Sequence, residues 1–185
     1  MIPDALNFWV YDDKIFVEES PEGFLIEVFD YKGEKLYQIE RKYEKTPVTE
    51  KYKTLAFNHL KQDFLHKKVN LFVPFHIMEA GWDEFKKWAT LIYPDYLPPM
   101  RDIFVDNRKI YIQTFKRQDN KQEYIIMGLK GNMIKKVYLP VVQPSTFASE
   151  MVGLGLKFYA IDKDRFVYLV ENEEEEEWEV HVVDI

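Results

Sequence analysis

Three stretches of this 185-residue chain repeat one order of signals: an apolar strand, a short acidic turn, then a second apolar strand. The first reads Asn7-Phe8-Trp9-Val10-Tyr11, turns at Asp12-Asp13 and continues Lys14-Ile15-Phe16-Val17. The second reads Asp102-Ile103-Phe104-Val105, turns at Asp106-Asn107-Arg108 and continues Lys109-Ile110-Tyr111-Ile112. The third reads Lys157-Phe158-Tyr159-Ala160-Ile161, turns at Asp162-Lys163-Asp164 and continues Arg165-Phe166-Val167-Tyr168-Leu169. Asp and Asn suit such turns because their side chains bond nearby backbone groups and tolerate left-handed dihedrals. One supersecondary unit therefore starts three times.

After each hairpin a looser connection leads to a third strand, at Phe24 to Phe29, Tyr124 to Met127 and Trp178 to Val183. A fourth strand follows twice. The turn Asp30-Tyr31-Lys32-Gly33 leads into Glu34 to Ile39, and Gly128-Leu129-Lys130-Gly131 leads into Met133 to Leu139, with glycine supplying the positive φ of a tight turn. The third unit reaches Asp184-Ile185 with three strands. Phe24, Ile26 and Val28 share one face of their strand and Leu25 and Phe29 the other, and Phe158, Phe166, Trp178 and Val180 repeat this two-sided apolarity. A sheet with one wet face alternates apolar with polar instead. Small sheets apolar front and back have to lie between neighbours, and radial stacking of such sheets is the arrangement of a β-propeller. An irregular β-sandwich of similar meanders is the competing arrangement.

The stretch from about Tyr43 to Met100 differs in character. Thr46-Pro47-Val48-Thr49-Glu50 resembles a helix start, and Tyr52, Leu55-Ala56, Leu60 and Phe64 recur at helical spacing, which predicts an amphipathic helix over Thr49 to His66. A second helix is expected from Asp83 to Leu91, followed by extended chain from Tyr93 to Met100, where three prolines sit. The fold class expected is mainly β: four-stranded antiparallel propeller-like blades, two complete and one partial, with a helical insertion after the first. The chain reads as a single propeller-like domain over 1–185, with blades at 7–42, 101–140 and 156–185 and the insert at 43–100.

Composition narrows function mostly by exclusion. A chain that is 46% hydrophobic and 16% aromatic is neither disordered nor low-complexity, and zero Cys removes disulfides, Cys-based zinc sites and thiol nucleophiles together. Six Glu between Glu171 and Glu177 account for most of the net charge of −7; without them it is −1. That run, flanked by strands, reads as a solvated hairpin tip that discourages edge-to-edge association. Lys and Arg are scattered rather than clustered, so no nucleic-acid partner is expected. No apolar run is long enough for a membrane span, no signal peptide is visible in the given chain, and the compartment stays open.

Candidate chemistry is sparse. His59, His66, His76 and His181 share no metal-ligand spacing, and the Asp12-Asp13 and Asp162/Asp164 pairs lack a calcium-loop pattern, so no metal or other cofactor is expected. Ser20, Ser145 and Ser149 stand outside any nucleophile elbow, and Gly153-Leu154-Gly155 lacks the context of a phosphate loop. No catalytic residue is nominated. Binding hot spots favour aromatics and Arg. Of the insert's aromatics, Trp82 and Trp88 read as packing residues, and Tyr96 with nearby Arg101 as the binding candidates.

The repeat, with its Asp-x-x-Gly turn before the outer strand, resembles the six-bladed β-propeller proteins related to NHL-repeat propellers, in particular an uncharacterised bacterial group. The segment Val28-Phe29-Asp30-Tyr31-Lys32-Gly33-Glu34-Lys35-Leu36, the strand ending at Ile39-Glu40-Arg41, the Pro47 to Glu50 helical insertion and the Tyr93 to Val105 approach carry the likeness. The resemblance implies a six-bladed ring, of which this sequence supplies two blades and three quarters of another. The chain is then the C-terminal half of a longer propeller, one of two copies that close a ring, or a distinct partial fold. Met1 to Leu6 is a candidate for the strand missing from the last blade. The expected function is a non-enzymatic binding or scaffolding module for an unknown protein or small ligand, homodimeric if the chain is complete. The alternative is a propeller-hosted metal-dependent hydrolase or lyase.

Overall fold

The computed structural model describes residues 7–19, 23–66, 69–73, 76–88, 90–142, 159–172 and 177–185. Its first sheet joins β1 (Asn7–Tyr11), β2 (Lys14–Glu18), β3 (Phe24–Asp30) and β4 (Lys35–Arg41) in sequence order, every pair antiparallel. The insert then runs through β5 (Thr46–Pro47), α1 (Glu50–His66), β6 (Val69–Val73), β7 (His76–Ala80), α2 (Trp82–Trp88) and β8 (Tyr96–Leu97). A second four-stranded meander follows as β9 (Asp102–Asp106), β10 (Lys109–Gln118), β11 (Lys121–Gly128) and β12 (Met133–Pro140). Three strands, β13 (Tyr159–Asp162), β14 (Arg165–Asn172) and β15 (Glu177–Asp184), make the third sheet. The fold is therefore mainly β, with two four-stranded antiparallel blades, one three-stranded blade and a helical insertion after the first.

Two-residue turns set the registers. Asp12-Asp13, Asn107-Arg108 and Lys163-Asp164 all have positive φ at both positions, between 45° and 63°, which is the backbone of a hairpin turn whose twist matches the strands it joins. A fourth turn of this kind, Asp119-Asn120, joins β10 to β11. The connection expected there to be loose is tight, because β10 continues to Gln118 through a register shift between Gln113 and Arg117. The Gln122 amide fills that irregularity, donating to the Thr114 carbonyl and, at 2.8 Å, to the Lys116 carbonyl, so the backbone groups the ladder drops are still bonded.

The sheets stack in series, and side-chain alternation explains how. Cross-strand partners Trp9 and Phe16 share one face of the first sheet, and Ile26 pairs with Ile39 on it. This face packs on Ile103, Val105, Ile110, Ile112 and Met127 of the second sheet. The opposite face of the second sheet carries Phe104, Tyr111, Tyr124 and Ile126, and it packs on Ile161 and Phe166 of the third. The ring of Phe104 lies 5.1 Å from that of Trp9 and 5.5 Å from that of Tyr159, so one residue of β9, an edge strand of the second sheet, touches both neighbours. Both faces of the second sheet are buried, as two-sided apolarity requires. In the third sheet the expectation holds on one face only: Phe166 is fully buried, while Trp178 and Val180, across the sheet, are exposed.

Polar bonds at the hairpin turns add to this packing. The Arg108 backbone N–H donates to the Tyr11 hydroxyl at 3.0 Å, first sheet to second, and the Lys163 N–H donates to Asp106 Oδ2 at 2.7 Å, second to third. Asp164 reaches back onto the second sheet, accepting from Lys109 Nζ at 2.6 Å, Tyr111 Oη at 2.6 Å and Asn107 Nδ2 at 2.9 Å. These bonds, the Lys109 one first, hold the Asp164 carboxyl below the usual carboxylate range.

By compactness, the described residues of 7–46, 97–142 and 159–185 form one unit and those of 47–96 another. In the second unit, Thr49 caps α1, its hydroxyl accepting from the Tyr52 N–H at 3.3 Å. Thr46 and Pro47, expected within the helix start, belong instead to β5, which pairs with β8. The second helix begins at Trp82 and ends at Trp88, shorter than expected. Gly81 caps it: its carbonyl accepts from the Phe85 N–H at 3.0 Å while the Glu84 carboxylate takes the Gly81 N–H at 3.1 Å. Trp82 packs within this unit, against Phe57 of α1 and Phe85. The β6–β7 hairpin was not anticipated, since Pro74 interrupts its apolar run. No helix among the described residues is long and apolar enough to cross a membrane. The Glu run's centre, Met1 to Leu6, Lys157-Phe158, Ser20, Ser145, Ser149 and Gly153 to Gly155 lie outside the described residues.

Two predictions follow from the stacking. A Cβ on Gly33 meets nothing, whereas one on Gly131 lands 2.6 Å from Cγ2 of Ile39 in the first sheet; both glycines have φ near +80°. Gly33→Ala then loses about 1 kcal/mol for its left-handed backbone. Gly131→Ala loses roughly 1–3 kcal/mol more for overpacking, a difference that urea unfolding resolves. Asp164→Asn, which keeps a left-handed-tolerant side chain, lowers stability at neutral pH by about 1–2 kcal/mol. Because the folded carboxyl titrates below its unfolded value, that contribution is present above the unfolded value, near pH 4. It disappears as pH falls through the folded one, so the two proteins' unfolding curves converge in acid.

Candidate functional site

Between the outer strands of the first and second sheets lies a cleft of about 200 Å³. Its walls come from the end of β4 and the residues after it, Arg41, Lys42 and Tyr43, from the Leu97-Pro98-Pro99 approach to the second sheet, and from Phe115, Lys116 and Lys136. The irregular stretch of β10 after Gln113 contributes Thr114, Phe115 and Lys116 to its lining. Glu123 forms part of its floor, almost fully buried. The Thr114 hydroxyl donates to Glu123 Oε1 at 3.0 Å, Lys136 Nζ lies 3.5 Å from Oε2, and the same Thr114 oxygen accepts from the Lys116 N–H at 3.1 Å. A buried carboxylate is tolerated when it is bonded in this way.

Arg41 is weakly bonded for a part-buried cation. Its guanidinium contacts two thioethers, Met127 Sδ at 3.3 Å and Met133 Sδ at 3.7 Å, which are poor acceptors, and it has no carboxylate partner among the described residues. With Lys42, Lys116 and Lys136 against Glu44 and Glu123, cations outnumber anions around the cleft, and Glu44 is already engaged by Lys116 at 3.2 Å. Phe115 and the two prolines supply apolar wall. Such a cleft suits a small ligand with a flat apolar body and an acidic group, which a guanidinium binds through paired hydrogen bonds.

The two residues nominated from the sequence fall in different units. Tyr96 lies in β8 of the insert, half exposed. Arg101 directly precedes β9, its backbone N–H donating to the Gln113 carbonyl at 2.8 Å. It stands beside a buried polar cluster in which Tyr159 Oη faces Asp102 Oδ2 at 3.2 Å and Gln113 Oε1 at 3.3 Å. Burial first, then the Asp102 charge, pushes the Tyr159 hydroxyl far above its ordinary range, and Arg101 opposes the shift. Tyr159 therefore stays protonated at any working pH, as a donor rather than a base. The cleft residues escaped the sequence reading because Arg41, Thr114 and Glu123 lie on three strands of two sheets and share one cleft only in the folded chain. Among the described residues no three His, Asp or Glu side chains gather as metal ligands would.

The Glu123 network yields a direct test. Thr114→Val keeps the shape and removes the hydroxyl, leaving the carboxylate and the Lys116 N–H each short of a partner, and it is expected to cost about 1–3 kcal/mol in chemical unfolding. Compared with known proteins, the chain matches no family model, no curated protein and no solved structure.

Proposed function

We propose that this chain is a non-enzymatic binding or scaffolding module whose propeller-like blades belong to a six-bladed ring of the NHL-related kind, and that its binding site is the cleft at Arg41. The observation that carries the reading is the pairing of a guanidinium, whose side-chain partners among the described residues are thioethers, with an apolar wall in one cleft. The one hydroxyl–carboxylate pair described on its walls, Thr114 with Glu123, is engaged inward, Glu123 also by Lys136 and the Thr114 oxygen also by the Lys116 N–H, so it reads as structural support. The site holds a ligand rather than transforms one. Its ligand class is a small aromatic or aliphatic acid, or an acidic side chain or terminus of a protein partner.

Ligand-observed NMR with benzoate and inorganic phosphate as probes tests the reading, alongside elemental analysis of the purified protein. Benzoate is expected to bind weakly and saturably, and Arg41→Met is expected to weaken it about tenfold or more, the loss of one charge-assisted contact. Binding unaffected by Arg41→Met contradicts the site. One equivalent of tightly held calcium or zinc contradicts the non-enzymatic module and favours a metal-dependent hydrolase or lyase.

A further inference from the structure

The stacking of the three sheets is directional. Aligned at their turns, Tyr11, Asp106 and Asp162 are equivalent, as are Asp12, Asn107 and Lys163, then Asp13, Arg108 and Asp164, then Lys14, Lys109 and Arg165. Each sheet presents the face bearing Tyr11 or Asp106 to the next sheet, and takes the preceding sheet on its other face. Among the described residues, two faces of this kind stay largely exposed, one at each end. The first sheet shows Phe8, 60% exposed, and Val10, 47% exposed. Across the third sheet, Val167 pairs with Val182 and Leu169 with Val180, and Trp178 continues the face; Val182 is 55%, Val180 66% and Trp178 51% exposed. One is the entry half and the other the exit half of a contact the chain makes twice internally.

We propose that a second copy of this chain docks head to tail, the open face of its first sheet on the open face of the third, and that the reciprocal contact closes a symmetric pair of three plus three sheets. This rests on the propeller-like reading of the blades. Charge complementarity selects the occupant. Within the chain, Asp164 reaches back to Asn107 and Lys109 of the preceding sheet. By the same equivalence, Asp13 of one copy reaches Lys163 and Arg165 of the other, a carboxylate against two cations, and Asp162 stands where Asp106 accepts a turn N–H. All four side chains are solvent-facing or partly so, and Asp162 and Arg165 are already paired at 3.0 Å on this face. A docking that uses both open faces of both copies leaves none unfilled, which separates a closed pair from an open filament.

Sedimentation equilibrium of the full chain is expected to return the mass of two 22.3 kDa protomers. Val180→Glu, at a position too exposed to disturb the fold, is expected to weaken association by roughly tenfold or more with an unchanged circular dichroism spectrum. Because the chain has no Cys, Asp13→Cys and Lys163→Cys proteins mixed under oxidising conditions are expected to cross-link to each other, and neither alone. A monomeric wild type, a Val180→Glu protein that associates like wild type, cross-linking only between identical variants, or growth into open oligomers each overturns the proposal. A monomer that still binds benzoate through Arg41 overturns self-docking alone and leaves the proposed binding module standing.

Discussion

A small antiparallel sheet that is apolar on both faces has no stable existence by itself, and this constraint organises the chain. Each side chain of the second sheet that alternation sends forward, Phe104, Tyr111, Tyr124 and Ile126, needs cover, and so does each sent backward, Ile103, Val105, Ile110 and Ile112. Burial of a single such residue contributes about 1.5–3 kcal/mol, so the two apolar clusters taken together far exceed the few polar bonds across the sheets, each about 0.5–3 kcal/mol. Stacking in series follows from that inequality, and the order of the sheets in space repeats their order in sequence.

Polar contacts choose the alignment that burial leaves open. Apolar faces slide on one another at little cost, whereas the Arg108 N–H to Tyr11 and Lys163 N–H to Asp106 bonds have one geometry each. Positive φ at the paired turn residues points these N–H groups out of the hairpin toward the neighbouring sheet. The residues that make the turns possible are therefore the ones that fix sheet against sheet. Asp164 does both, with a left-handed backbone and a carboxylate on three donors of the second sheet. Away from the turns, the irregular stretch of β10 lines the cleft at Arg41.

Much of this was legible in the residues. Tyr11-Asp12-Asp13-Lys14 and its two counterparts announced hairpins because turn chemistry is local, and the strands beside them were visible from alternation. Thr49 was readable as a helix start, though Thr46 and Pro47 went to a strand whose partner, Tyr96-Leu97, is remote in sequence. Asp119-Asn120 carried the same turn signal as Asp12-Asp13 and was masked by the polar run from Lys116 to Lys121, which hides a strand's alternation. The cleft was not legible at all: Arg41 comes from the first sheet, Thr114 and Glu123 from the second beside a register shift, and no local pattern encodes either. The exposed far face of the third sheet was likewise invisible, since a strand's apolarity says that cover is needed but not what provides it.

The central claim is that the second sheet is held between the other two. Nuclear Overhauser contacts of the Phe104 ring test it most directly, because that ring lies within 5.5 Å, centre to centre, of rings on both neighbours. Stacking in series predicts cross-peaks from Phe104 to the Trp9 indole and to the Tyr159 ring in the same sample. Cross-peaks to one neighbour alone, or to neither, contradict it.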